Sequence, residues 1–400
     1  MIAAFVLLAC SQPEEPPTAR FFPEEASTAM PINPRVTELF AALPDWVEGE
    51  HPVTEDLVAL GRLLYHDNRL SNDQQYSCNS CHNLKRYGMD GKPTSIGPDG
   101  STGLRNTLST YNSAMHVAQY WDGRAADVET QAQLALLSPT EMAMPSEEAV
   151  VEMLRSIPVY VSAFEMAFPE QNDPIRFDNV GIAIGAFQRG LLTPGPFDAY
   201  VNGDAEALTP SQVEGLILFM DTGCTECHMG AALGGSSFQK LGAMIPWQTT
   251  DLGVESVSGE ESDRHVFRVP SLRNVTQTAP YLHDGSSDAL GGVVRRMAQY
   301  QLGKELTDPE VQSIMTFLGA LTGKPREAYI MTPDLPPSGP DTPTLDVPEQ
   351  PPEQPDEPTP AASPESDTPP QPTDAPVVPE PAEEADGSST STEAAPPDPS

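Results

Sequence analysis

The sequence predicts an all-α fold of two domains, followed by a disordered acidic, proline-rich tail. Three observations carry this expectation. Segments with helical apolar spacing open on capping residues. No segment alternates apolar and polar residues as a half-buried strand does. A short cysteine–histidine motif occurs twice, at 78–82 and 224–228, a domain's length apart.

The chain starts MIAAFVLLACSQPEEPP, a short apolar run ending Leu7-Leu8-Ala9-Cys10. The run is too short to span a bilayer and reads as a secretory signal. Leu-Leu-Ala-Cys resembles a bacterial lipobox, in which the cysteine becomes the lipidated N-terminus. The expectation is therefore a lipoprotein-type signal at 1–10, a lipid anchor at Cys10 and a tether over 11–35. Ser11 after the cysteine favours the outer membrane.

The body reads as helices joined by loops. TEDLVALGRLLYHD begins on Thr54 and places Leu57, Leu60 and Leu64 on one face. DNVGIAIGAFQRGLL and ETQAQLALL are further helical stretches. TPSQVEGLILFMDTG has Thr209 as cap, Pro210 in the first turn, Gln212 three residues after the cap and Gly223 as the stop. TDPEVQSIMTFLGALTG repeats that arrangement with Thr307, Glu310 and Gly323. Long Gly-, Asp- and Ser-rich loops at 88–105 and 229–263 separate the helices. An all-α fold with such loops needs something bulky and apolar at its centre, which a buried cofactor supplies. The domains are expected at 36–204 and 205–330, with the boundary near AYVNGDAEALTP.

Acidic residues number 58 against 21 basic ones, a net charge of −37, which argues against a nucleic-acid partner. The excess is uneven. Residues 331–400 hold no Lys or Arg, 16 acidic residues and 21 of the 44 prolines. Such a segment buries too little apolar surface to offset chain entropy and reads as disordered.

The five cysteines are Cys10, Cys78, Cys81, Cys224 and Cys227. With Cys10 lipidated, the other four all lie in Cys-x-x-Cys-His motifs and none is left for a disulfide. Zinc could pool six ligands from the two motifs, but zinc pairs usually sit closer in sequence. A redox dithiol needs no following histidine, and its usual βαβ setting is absent. A c-type haem needs this pattern: two cysteines three apart reach the two vinyl groups, and the next residue ligates iron. Two c-type haems are expected, with His82 and His228 as proximal ligands. A carrier would cap both irons on the far side, whereas an enzyme would leave one open.

The surrounding segments LLYHDNRLSNDQQYSCNSCHN, GLRNTLSTYN, QYWDGRAADVETQA, SPTEM, FRVPSLRNVTQTAPYLHDG and LGKELTDPEVQSIMTFLGALTG resemble the bacterial dihaem cytochrome c peroxidases over residues 36–325. The resemblance implies two cytochrome c-like domains with one haem each: a peroxidatic haem in the first and a high-potential electron-transfer haem in the second. By position, Met297 of VVRRMAQYQLG becomes the far ligand of the second haem; Met229 is too close to His228 in the chain to reach the opposite face. Gln131 and Glu141, ten and twenty residues after Trp121, take the places of the peroxide-holding and acid–base groups. Between Met142 and Met144, Glu141 is expected to have a raised pKa through burial. Trp121 matches the tryptophan between the haems, an electron conduit. The resemblance also implies one Ca2+ between the domains, at Asn106, Thr278 and Pro280, whose amide and carbonyl oxygens suit a hard cation. H2O2, a small cytochrome c or cupredoxin donor, a periplasmic location and a homodimer complete what the family implies.

One position departs from the family. Many members carry a histidine in the loop after the first motif that caps the peroxidatic iron until the other haem is reduced. In KPTSIGPDGSTGLRN that position holds Pro98, which has no ligating atom. His116, just beyond the loop, is the one substitute within reach. The expectation is a peroxidase open when fully oxidised. The alternative is a dihaem electron-transfer or protein-oxidising chain of the tryptophylquinone-forming type. Those protein-oxidising relatives have a Tyr ligand where this chain has Met297.

Overall fold

The computed structural model describes residues 31–344, so Cys10, the signal and most of the tether, and the tail beyond 344 lie outside the described residues. The described body is mainly helical around two apolar cores.

The first core is built on two helices, Glu55–His66 and Phe177–Arg189. Thr54 caps the former, its hydroxyl accepting from Leu57 N at 3.1 Å, and Leu57, Leu60 and Leu64 are buried. The helices cross at Gly61, where a Cβ would stand 1.8 Å from Ala183 O. The second core repeats the device. Helix Pro210–Thr222 opens on the Thr209–Gln212 capping box and stops at Gly223, in the left-handed region at φ 98°. It crosses Asp308–Gly319 at Gly215, where a Cβ would stand 2.1 Å from Ser313 O. Only a hydrogen in place of a side chain permits either approach.

Three expectations differ in detail. Helix Asp308–Gly319 begins on the Thr307–Glu310 box but ends four residues before Gly323. Gly323 serves a chain crossing instead: its N–H donates to Asn274 Oδ1 at 3.0 Å, and a Cβ there would meet Thr193 O at 1.8 Å. The loop expected over 229–263 contains a strand, Phe238–Lys240, paired antiparallel with Val266–Arg268. Three residues are too few to show alternation. Finally, the cores do not divide at 204/205. Val36, Phe40, Phe197 and Tyr200 are buried in the second core, and Ile330 in the first. Phe40 meets Phe197 edge-on at 5.4 Å, and Tyr329 stacks on Phe187 at 5.1 Å. Each end of the folded chain thus packs on the core formed by the other half.

The first stretch of the acidic tail also belongs to the body. Ser338 accepts from Arg69, Pro343 O from Gln74 Nε2 at 2.9 Å, and Thr342 Oγ1 from Ser156 at 3.0 Å. An expected break at 331 is therefore too early; side chains of the first core supply the partners that local composition does not reveal.

Candidate active site

Each motif forms one turn. His82 N donates to Cys78 O at 2.9 Å, and His228 N to Cys224 O at 2.9 Å. This turn keeps the two sulfurs of a motif within one helical repeat and sets the histidine immediately after them. Each motif lines its own cavity. Cys78, Cys81 and His82 share the first with Gln131 and Glu141. Cys224, Cys227 and His228 share the second with Met297, on helix Leu290–Leu302. The first is roomier, about 770 against 260 Å3. Trp121 lines both cavities, its indole N–H donating to Asn106 O at 3.0 Å.

The donor set fits a thioether-linked haem in each cavity. All four cysteines are free of disulfides. Burial pushes the Cys78 and Cys224 thiols up to about 12, and raises those of Cys81 and Cys227. A redox dithiol needs the opposite shift. His228 Nδ1 engages Leu233 O at 3.1 Å, which leaves Nε2 as the free ring nitrogen. Burial lowers its pKa to about 4, keeping the imidazole neutral and able to ligate. Burial lowers His82 too, and its Nδ1 lies buried without a partner. Arg268 supplies a further clue. It is 1% exposed on the wall of the second cavity, bonds only carbonyl oxygens and has no carboxylate partner among the described residues. A buried guanidinium wants an anion, and a haem carries two carboxylates.

Glu141 stands in the first cavity within a small polar cluster. The Tyr120 hydroxyl lies 3.3 and 3.4 Å from its two oxygens, and Arg124 Nη2 is 3.7 Å from Oε1. Burial raises the Glu141 pKa against the opposing pull of Arg124, Ser138 and Tyr120. Behind it, Arg124 Nη1 contacts both oxygens of Asp122 at 3.0 Å, and Arg105 bridges Asp122 at 2.5 Å and Asp251 at 2.7 Å. Asp251 thus ties a loop from the second half of the chain to the rim of the first cavity. Asn106, Thr278 and Pro280 line one cavity together. The Asn106 amide N–H groups are committed to Lys92 O at 3.0 Å and Pro93 O at 3.2 Å, so its carbonyl oxygen is the end left for a cation.

Residues 55–206 match the di-haem cytochrome c peroxidase family. The cytochrome c551 peroxidase of Nitrosomonas europaea is 42% identical over 295 residues, covering 73% of this chain and 87% of that protein. That of Pseudomonas aeruginosa is 40% identical over 324 residues, covering 78% and 92%. The chain belongs to the di-haem cytochrome c peroxidase family. Among solved structures, a MauG-like protein associated with microbial copper homeostasis superposes with a TM-score of 0.64 at 29% identity, over 73% of this chain and 95% of that one.

Within this peroxidase the loop of Pro98 is a closed hairpin. Gly97 N donates to Ser101 O at 2.8 Å, Gly103 N to Ser95 O at 2.9 Å, and Gly100 N to Gly97 O at 3.0 Å, with Pro98 second in that turn. Pro98 is buried, and Gly97 packs on the Thr140 backbone beside Glu141. His116 lines the second cavity and not the first, so it is not placed to substitute for the missing histidine. The other histidine on the first cavity's wall is His283, whose Nε2 engages Thr249 Oγ1 at 3.1 Å.

Sequence reading missed Tyr120, Arg124, Asp122, Arg105, Asp251, Arg268 and His283. Three of these lie inside YWDGRA, where a local signal was present. The partners of Arg105 and the isolation of Arg268 depend on contacts 146 and 148 residues away.

Proposed function

We propose that this di-haem peroxidase reduces H2O2 to water in the first cavity without prior reductive activation, using electrons from a small periplasmic redox protein. The observation that carries the reading is the half-buried Glu141 carboxylate, on the wall of the first motif's cavity and in contact with Tyr120 and Arg124. A pure electron carrier has no use for such a group. When bound at His82, a haem supplies an iron that takes peroxide and relays electrons to it. Glu141 takes the proton from one peroxide oxygen and returns it to the leaving one, work for which a raised carboxyl pKa is suited. Gln131, on the same wall, holds peroxide in register. Met297 and His228 line one cavity and would hold the second haem's iron, a His–Met pairing that raises potential. Trp121, on the wall of both cavities, is the path between them. Ca2+ at Asn106, Thr278 and Pro280 would fix the wall that the two halves share.

The closed hairpin around Pro98 supports a peroxidatic site open in the oxidised enzyme. A small cytochrome c or a cupredoxin fits the donor's role, and export to the periplasm follows from covalent haem attachment and the expected anchor at Cys10. A homodimer is carried over from the family alone. The alternative, oxidation of a protein substrate, is opposed by Met297 in the place of tyrosine. Glu141→Gln tests the main reading. Peroxide turnover should fall by about 10²–10⁴-fold with haem content and both potentials unchanged; unaltered turnover would overturn it.

A further inference from the structure

The loop 119–125 carries more than Trp121. Gln119 N donates to Ala125 O at 2.7 Å, closing the loop on itself. Within it Tyr120 has φ 64°, a left-handed conformation that a bulky residue adopts only under constraint. The constraint comes from the second half of the chain: Arg268 Nε donates to Tyr120 O at 3.1 Å and Arg268 N to Trp121 O at 2.8 Å. The outcome of the strained turn is that Tyr120 faces the first cavity beside Glu141.

We propose that Tyr120 is a positioning residue for Glu141, its hydroxyl donating to the carboxylate and its ring clamped by the Arg124 guanidinium. The single O–H lies almost midway between the carboxylate oxygens, at 3.3 and 3.4 Å, so it restrains the carboxylate without binding one oxygen exclusively. Arg124 sits 3.3 Å from the Tyr120 ring centroid, with Nη2 3.7 Å from Glu141 Oε1. The stacked pair therefore presents one hydroxyl donor and one positive charge to the same carboxylate. The inference rests on the reading of Glu141 as the acid–base group.

Several charged and polar groups act on Glu141, and His82, Arg105, Asp251, His283 and Asp284 line the same cavity. Arg124, Asp122 and Tyr120 come from the loop, and Ser138 from the segment before Glu141. Cys78 and Cys81 face it across the cavity and become uncharged thioethers once haem is attached. Of these, Arg124, Ser138 and Tyr120 favour the ionised carboxylate and Asp122 opposes it. Removing the phenol hydroxyl removes a donor to the charged form, so Glu141 should ionise at higher pH.

Tyr120→Phe in the holoenzyme is the test, since it keeps the ring and its stack on Arg124. The acid limb of kcat/KM for H2O2 should move up by roughly 0.5–1 pH unit, converging with the parent at high pH. Infrared titration of the Glu141 carboxyl, assigned by its loss in Glu141→Gln, should shift in the same direction. A uniform fall in turnover with the infrared titration unmoved would mean that Tyr120 only packs, and would overturn the proposal. So would no change in either readout. If Glu141→Gln instead retains turnover, the acid–base reading fails, and the infrared titration of Tyr120→Phe still decides the positioning.

Discussion

Replacing Gly215 by alanine isolates the crossing on which the second core is built. The new Cβ would lie 2.1 Å from Ser313 O and 3.0 Å from the Phe317 Cβ. Relief requires the two helices to part by about 1 Å or more, because carbon contacts are comfortable only near ~3.5 Å. That movement loosens a packed seam: Leu216, Ile314 and Phe317 are buried, and Phe219 meets Phe317 at 5.3 Å. Overpacking of this kind costs about 3 kcal/mol. Alanine's better helix propensity returns about 1 kcal/mol, leaving a net loss of about 2 kcal/mol, or roughly 4 °C in Tm for a body of this size. Gly292 is the matched control. It lies in helix Leu290–Leu302, and a Cβ there would meet nothing within 4 Å, so Gly292→Ala should stabilise by up to about 1 kcal/mol. Denaturant unfolding of both holo variants, followed by circular dichroism, measures the difference. If Gly215→Ala proves as stable as Gly292→Ala, the close crossing is not what holds this core.

Other outcomes follow from particular contacts. Asp198 accepts from Arg273 at 2.7 and 2.9 Å, from Leu43 N at 2.7 Å and from Gly195 N at 2.8 Å, so Asp198→Ala leaves a buried guanidinium unpaired and should cost about 3–5 kcal/mol in denaturant unfolding. Met297→His should lower the potential of the second haem by more than ~0.1 V in a redox titration while the first is little changed; equal shifts in both, or none, would count against its ligand role. Because burial raises Glu141, its carboxylate form is lost, as pH falls, above the ~4.3 of a free glutamate. Peroxide turnover should therefore decline over that higher range, and Glu141→Gln should abolish this limb of the profile.

What could be read from the sequence was local. Thr54, the Thr209–Gln212 pair and the Thr307–Glu310 pair announce helix starts because a cap and its partner lie within three residues of each other. The two motifs announce themselves for the same reason. Gly61 and Gly215 look like ordinary helix glycines until their partners at 183 and 313 are known. The exchange of chain ends between cores was hidden, because Val36 and Ile330 find their neighbours more than 100 residues away. Glu141 and Gln131 could be picked out only through the spacing of the resemblance, and the structure places both on the wall of the first motif's cavity. Their link to Tyr120 was not legible, since it needs a tyrosine in a left-handed conformation fixed by Arg268.

The most direct measurement is peroxide reduction by the fully oxidised holoenzyme, supplied with calcium, H2O2 and a reduced small cytochrome c, with no pre-reduction. Turnover is expected from the first cycle, without a lag, because Pro98 sits in a closed hairpin and His283 is engaged with Thr249. Turnover that appears only after the second haem has been reduced would contradict it, and would show that another side chain closes the peroxidatic iron.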